Sequence, residues 1–193
     1  MFLHDAPESE DVRAAHQAER ASEGYVSNHT RLWSWRIDLD EEFRRLRNGI
    51  MSSSTLTERE FAVLVTSTAS QLGDSYCSLA WGPRLASLSD DETAARVLGG
   101  GPVDGLSDRE VALADWARRI VRDPNATTEG DVERLREAGL DEREIFEATA
   151  FIAFRLAFST VNDALGAVPD DELTGSAPEA VLSAVSYGRQ PTR

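Results

Sequence analysis

The sequence contains one cysteine, Cys77, which follows Asp74 by three residues in the segment Gly73-Asp74-Ser75-Tyr76-Cys77. A thiol can act as a nucleophile once it loses its proton, and a nearby carboxylate can act as a general acid or base. The phenol of Tyr76 can donate a proton. We therefore take Asp74, Tyr76 and Cys77 as the candidate catalytic residues.

The same segment also has a purely structural interpretation. Asp74 can cap a helix by accepting from the amide of Tyr76 or Cys77, a contribution of about 1 kcal/mol. Cys77 then lies in the first turn, where the helix dipole lowers a thiol pKa and the carboxylate raises it. A full charge outweighs a partial one at close range, so we expect a mostly protonated thiol. A cysteine and a tyrosine that only pack are the alternatives.

Other side chains could bind a small molecule in an apolar pocket. Trp33 and Trp81 are candidate substrate contacts, with core packing as the alternative. Asn162 and Arg155 are polar residues on or near the apolar stripe of a predicted long helix. Asn162 is the third candidate substrate-binding residue, and a surface or interface hydrogen bond is the alternative for both.

Composition excludes several function classes. The formal net charge is -14, which argues against nucleic acid or an anionic membrane as a partner. There is no apolar run long enough for a membrane-spanning helix, and the acidic N-terminus does not resemble a signal peptide. A lone cysteine forms no internal disulfide, so we expect a cytoplasmic protein. The three histidines lack metal-ligand spacing, and we predict neither a metal site nor a cofactor.

The elements that position these residues are predicted to be helices. A Ser, Thr or Asp followed three residues later by Glu or Asp satisfies free amides at a helix start. This spacing opens periodic apolar segments at Thr57/Glu60, Ser89/Glu92, Ser107/Glu110, Thr128/Asp131 and Asp141/Glu144. The predicted helices are 57–72, 74–87, 90–98, 107–123, 128–138 and 141–165.

Shorter helices are predicted on both sides of this region. They comprise 9–22, an aromatic-rich helix capped by Asn28, a helix ending near Gly49, and 177–186. The helix ending near Gly49 carries apolar residues at spacings of four, three and four, which predicts a buried stripe. The stripe consists of Leu39, Phe43, Leu46 and Ile50. No alternation typical of a strand occurs, so the sequence predicts an all-α fold.

The sequence resembles the alkylhydroperoxidase D (AhpD) and carboxymuconolactone decarboxylase superfamily, in its peroxidase-related branch, over 23–170. Residues 23–46, 56–77 and 106–173 carry this resemblance. It implies a multihelical AhpD-like bundle that forms a homo-oligomer, a trimer or hexamer. Residues 1–22 would be an N-terminal extension and 171–193 a C-terminal helix and tail.

The redox motif of that family is Cys-x-x-Cys, with a histidine four residues after it and a glutamate twelve before it. On this chain the first cysteine corresponds to Asp74 and the second to Cys77, while the histidine corresponds to Trp81 and the glutamate to Ala62. A peroxide-reducing dithiol needs an attacking thiolate, a resolving thiol and a proton relay. Only Cys77 is retained, so this comparison argues against a disulfide-cycling peroxidase.

Three functions remain open. The first is an enzyme that acts on a small organic metabolite by acid-base chemistry, with Asp74 as the key group. The second is a peroxidase-related oxidoreductase in which Cys77 works with an external thiol. The third is a non-catalytic ligand-binding or scaffold protein. A pocket or a packed core around Asp74 and Cys77 distinguishes among them.

Overall fold

The computed structural model describes residues 1–101 and 104–190, and these contain α-helices and short 3-10 turns but no β-strand, which confirms the all-α prediction. No helix within these ranges combines the length and apolar character needed to cross a membrane. The end of the predicted tail, 191–193, lies outside the described residues. The helices are α1 (Glu10–Glu23), α2 (Asn28–Trp33), α3 (Ile37–Ser53), α4 (Glu58–Leu72), α5 (Ser75–Leu88), α6 (Asp91–Gly99), α7 (Asp108–Arg122), α8 (Glu129–Glu137), α9 (Glu142–Ala164), α10 (Asp171–Ser176) and α11 (Glu179–Ala184).

Local capping patterns predicted most of the central helix starts correctly. Capping boxes begin α4, α7, α8 and α9 at the four predicted residues, Thr57, Ser107, Thr128 and Asp141. The prediction was wrong for α6, whose cap is Asp90 rather than Ser89. The Asp90 carboxylate accepts from both the amide and the hydroxyl of Thr93, whereas Ser89 ends α5 and donates to the carbonyl of Leu85.

The N-terminal predictions need two corrections. Ser27, not Asn28, caps α2, and α3 continues through Gly49 to Ser53. The predicted buried stripe on α3 is also wrong in part. Leu39 and Leu46 are about two-fifths exposed, at 41% and 40%. They lie one heptad apart on a face that the rest of the described chain does not cover, while the stripe's other two members, Phe43 and Ile50, pack against core clusters.

The tail also differs from the prediction. Two short helices, α10 and α11, follow α9 where the sequence predicted one. Val181 of α11 is fully buried and packs against α5 and α6. It lies so close to Gly82 that a Cβ there would meet Val181 Cγ1 at 2.7 Å. The C-terminal segment is therefore part of the core.

Helix α4 lies at the centre of the molecule, and all of its residues from Glu60 to Ala69 are buried. One face packs against α7 and α9 around Phe61 and Phe151, whose ring centroids are 4.8 Å apart. The opposite face packs against α5 and α6, and α11 packs in turn on those two helices. Because α4 is fixed on both faces, its C-terminal end holds the start of α5 in a defined place.

Arginines join the N-terminal ends of α4, α7 and α9. Three capping-box glutamates, Glu60, Glu110 and Glu144, are 5–7% exposed. Arg109 Nε lies 2.8 Å from Glu60, and its Nη2 lies 3.0 Å from Glu144. Arg59 Nε lies 2.8 Å from Glu110. Buried carboxylates need such partners, so these ion pairs set the relative positions of the three helices.

Candidate functional site

The start of α5 places the Asp74 carboxylate beside Cys77. Gly73 ends α4 in the left-handed conformation at a φ of 84°, and Asp74 then caps α5. Asp74 Oδ1 accepts from the backbone N–H of Cys77 at 2.8 Å, which confirms the predicted cap. The residue is fully buried, and its Oδ2 has no hydrogen-bond partner among the described residues.

The Cys77 sulfur also contacts two side chains of α9. Arg155 Nη2 donates to Sγ at 2.9 Å, and the Ser159 hydroxyl donates at 3.6 Å. Burial, followed by the charge of Asp74, raises the pKa of the Cys77 thiol, while Arg155 and Ser159 oppose the rise. The pKa of the Cys77 thiol therefore lies well above its ordinary value, in agreement with the expected protonated thiol.

Cys77 and Arg155 lie in the wall of a cavity of about 560 Å³ between α1, α2, α3, α5 and α9. This volume suits a small organic molecule. Trp33 stacks on Phe158 with ring centroids 5.2 Å apart and an interplanar angle of 13°. The Phe, Trp and Tyr residues of the wall are Tyr25, Trp33, Phe43, Tyr76, Trp81, Phe151, Phe154 and Phe158. Cys77 therefore faces an aromatic pocket rather than a filled core.

Two further titratable side chains of the wall, Tyr76 and His29, lie beside buried carboxylates. The Tyr76 hydroxyl donates to the Asp170 carboxylate and accepts from the His29 amide at 3.4 Å. Burial and the charge of Asp170 raise the pKa of Tyr76 far above its ordinary value. His29 Nε2 lies 3.6 Å from Asp40 Oδ1, and burial, helped by the charge of Arg44, lowers the His29 pKa to about 3. Tyr76 and His29 are therefore neutral at pH 7.

The predicted substrate-binding residues fall in two layers. The Trp33 indole Nε1 donates to Asn162 Oδ1 at 2.8 Å, and Asn162 is fully buried. Asn162 therefore orients the Trp33 ring from the side that faces away from the cavity. Of the six predicted site residues, Trp33, Tyr76, Cys77 and Trp81 line the cavity, whereas Asp74 and Asn162 lie outside its wall.

Sequence reasoning did not assign the basic side chains Arg155 and His29 to the site. Arg155 was expected at a surface or an interface, but it is 7% exposed and contacts the thiol. A signal was present, since Arg155, Ser159 and Asn162 follow one another at spacings of four and three on one face of α9. His29 carried no such signal, because its partner Asp40 comes from a different helix.

Comparisons with known proteins add a structural likeness. No protein-family model and no curated protein matches the chain. An uncharacterized peroxidase-related protein with an AhpD core, from Ralstonia eutropha JMP134, is 24% identical with a TM-score of 0.77, covering 91% of this chain and 97% of that one. A peroxidase-related protein from Silicibacter sp. TM1040 is 21% identical with a TM-score of 0.76, over 90% and 92% of the two chains.

A third solved structure is a cysteine-to-alanine variant of the debrominase Bmp8 in complex with 2,3,4-tribromopyrrole. It is 14% identical with a TM-score of 0.73, and the match covers 96% of this chain and 98% of that one. At these identities the likeness concerns the fold. The chain described here therefore has the AhpD-like all-α fold that its sequence predicted.

Proposed function

We propose that this protein is a single-cysteine enzyme that acts on a small aromatic molecule in the cavity. Cys77 is the nucleophile, Asp74 accepts its proton, and Arg155 stabilises the thiolate. One observation carries the proposal: the contact of 2.9 Å between Arg155 Nη2 and the Cys77 sulfur in the cavity wall. A guanidinium at this distance favours a negatively charged sulfur.

The raised thiol pKa is compatible with this role. Loss of the proton to solvent would leave a new charge in a buried site, which burial opposes. Transfer to Asp74 keeps the net charge of the pair unchanged, and the Asp74 Oδ2 is available to receive the proton. Arg155 then lies beside the new charge on sulfur. The thiolate thus forms only inside the site, next to a bound molecule.

The reaction that fits these groups is the thiol-dependent removal of an electrophilic substituent X from a molecule R–X. The thiolate attacks X to give Cys77–S–X, and R leaves with the bonding electron pair and takes a proton from solvent in the cavity, giving R–H. The proton held by Asp74 returns to Cys77 when its thiol is restored. An external thiol displaces X as HX and forms a mixed disulfide with Cys77. A second external thiol restores the Cys77 thiol and leaves as the disulfide, so two thiols are oxidised for each R–X reduced.

The three similar structures support this class of reaction. Both the peroxidase-related proteins and the debrominase have this fold, and the debrominase was seen with a small brominated aromatic ring. The aromatic wall of the cavity here offers the stacking surface that such a ring requires. Direct acid-base attack by Asp74 on a substrate is less well supported, because Asp74 lies outside the cavity wall.

A ligand-binding protein without turnover is the second candidate. The raised pKa of the Cys77 thiol favours it, because a thiol that stays protonated does not attack. Under this alternative the aromatic cavity binds its ligand reversibly, and Cys77 only packs against it.

Turnover assays separate the two candidates. The purified protein is incubated with dithiothreitol and either cumene hydroperoxide or 2,3,4-tribromopyrrole, and R–H and oxidised thiol are quantified. We expect Cys77→Ser to abolish turnover and Asp74→Asn to lower it by roughly 10²-fold or more. Asp90→Asn is the matched control, since Asp90 also caps a helix but lies away from the cavity. Turnover that survives in Cys77→Ser, or binding of both compounds without turnover, contradicts the proposal.

A further inference from the structure

Three arginines line one part of the cavity, and two of them have no acidic partner. Arg44 Nε forms an ion pair with Asp40 at 2.8 Å. Across residues 1–101 and 104–190, neither Arg47 nor Arg155 forms an ion pair. Arg47 donates only to the neutral side-chain oxygen of Asn48, at 3.2 and 3.1 Å. This arrangement is notable in a chain of net charge -14.

The inner carboxylates of the cavity are already engaged elsewhere. Glu19 accepts from the amide and hydroxyl of Ser27 at 3.0 and 2.7 Å, and from the hydroxyl of Thr30 at 2.8 Å. Asp40 pairs with Arg44. The other carboxylates of the wall, Glu23 and Glu41, are exposed. Among the described residues, no acidic side chain therefore forms an ion pair with the partly buried Arg47 or the buried Arg155.

The charges of the arginines repel one another across the cavity. Burial, and then the charges of Arg155 and Arg44, lower the pKa of Arg47, against an opposing effect of the charge of Asp40. Both Arg44 and Arg155 also help to hold the pKa of His29 down. A bound anion would relieve this repulsion and supply the missing acceptor. A planar carboxylate suits a guanidinium best, because it can accept two parallel hydrogen bonds.

We propose that the molecule bound in this cavity is an aromatic acid whose carboxylate pairs with Arg47 while its ring stacks among the aromatic side chains. The inference rests on the proposed function only in identifying this cavity as the substrate site. Arg155 stays with Cys77, so Arg47 is the group that selects for the negative charge. The substrate class of the enzyme is thus a small aromatic carboxylate that bears the reactive substituent.

Calorimetry with two matched probes tests the proposal. Naphthalene-2-carboxylate and naphthalene-2-carboxamide have almost the same shape and differ in charge. We expect the wild-type protein to bind the carboxylate at least about tenfold more tightly than the amide, and Arg47→Gln to lose this preference. Arg45→Gln is the control, because Arg45 lies on the same helix but is exposed and pairs with Glu42. It should keep the preference.

The measurement on the wild-type protein is sufficient to overturn the proposal. Equal affinity for the two probes, or no binding of the carboxylate, would do so. A preference that persists in a folded Arg47→Gln protein also overturns it. Absence of turnover by the wild-type protein, with an intact carboxylate preference, counts against the thiol chemistry alone, whereas turnover without the preference counts against the anion site alone.

Discussion

The Asp74 carboxylate accepts a hydrogen bond from the backbone N–H of Cys77 at 2.8 Å, so one residue both begins α5 and sets the charge beside the thiol. A helix N-terminus by itself lowers a thiol pKa. Here the carboxylate occupies that positive end, and together with burial it raises the pKa of Cys77. Helix capping and thiol chemistry are therefore coupled at this position.

Replacement of Asp74 by Asn should lower the pKa of the Cys77 thiol, because a negative neighbour is removed. The pKa should stay above its ordinary value, since burial is the larger cause of the rise. Asn caps helices as well as Asp does, so the fold should be preserved. The pH profile of Cys77 alkylation by iodoacetamide measures the change. An unchanged profile in Asp74→Asn, with Asp90→Asn as control, would show that the carboxylate does not influence the thiol.

Replacement of Asn162 by Leu should loosen Trp33 in the cavity wall. The buried indole N–H loses its acceptor, which costs about 1–3 kcal/mol of unfolding free energy. We expect weaker binding of the naphthalene probes and a shifted tryptophan emission. Thr149→Val is a matched control, because Thr149 accepts from the indole of Trp116 at 2.9 Å outside this cavity. Equal effects of the two variants on probe binding would contradict a specific role for Asn162.

Replacement of Arg109 by Ala should destabilise the bundle by about 2–3 kcal/mol, because two buried carboxylates, Glu60 and Glu144, lose their partner. Urea unfolding monitored by circular dichroism measures the loss. Arg136→Ala removes an exposed arginine that also contacts two glutamates, and should have a much smaller effect. Similar losses in the two variants would mean that burial of the glutamates adds nothing to the value of their ion pairs.

Replacement of Asp163 by Asn should stabilise the protein at pH 7 but not at pH 4. Burial, and then the charge of Asp74, raise the Asp163 pKa to about 6, against an opposing effect of Arg189. An aspartate in the unfolded chain has a pKa of about 3.9, so the folded state binds the proton more tightly. The ionised Asp163 therefore destabilises the fold above about pH 6, and this cost disappears as the pH falls towards 4.

The expected gain for Asp163→Asn at pH 7 is about 1 kcal/mol, after allowance for solvent screening of this partly exposed group. Urea unfolding of both proteins at pH 7 and pH 4 measures it. A gain of the same size at both pH values would have to come from something other than the charge of Asp163, and would refute the assignment.

Most helix boundaries could be predicted from sequence because the forces that set them are local. A capping box joins residues three apart, and a left-handed glycine such as Gly73 ends a helix at its own position. The errors arose where two local solutions compete. Ser89 and Asp90 can each begin α6, and the neighbouring end of α5 decides between them. On α3, burial of Leu39 and Leu46 depended on which face met the core, and spacing alone does not contain that information.

The sequence was sufficient to place a carboxylate beside a lone thiol, because Asp74 and Cys77 are joined by one turn of helix. Tertiary structure alone decided what surrounds that thiol. The residue that contacts the sulfur, Arg155, is 78 positions away, and Asn162 lies 129 positions from the Trp33 that it orients. Such contacts depend on how α2, α3, α5 and α9 pack around α4, and packing is set by the combined shapes of many side chains rather than by any short pattern.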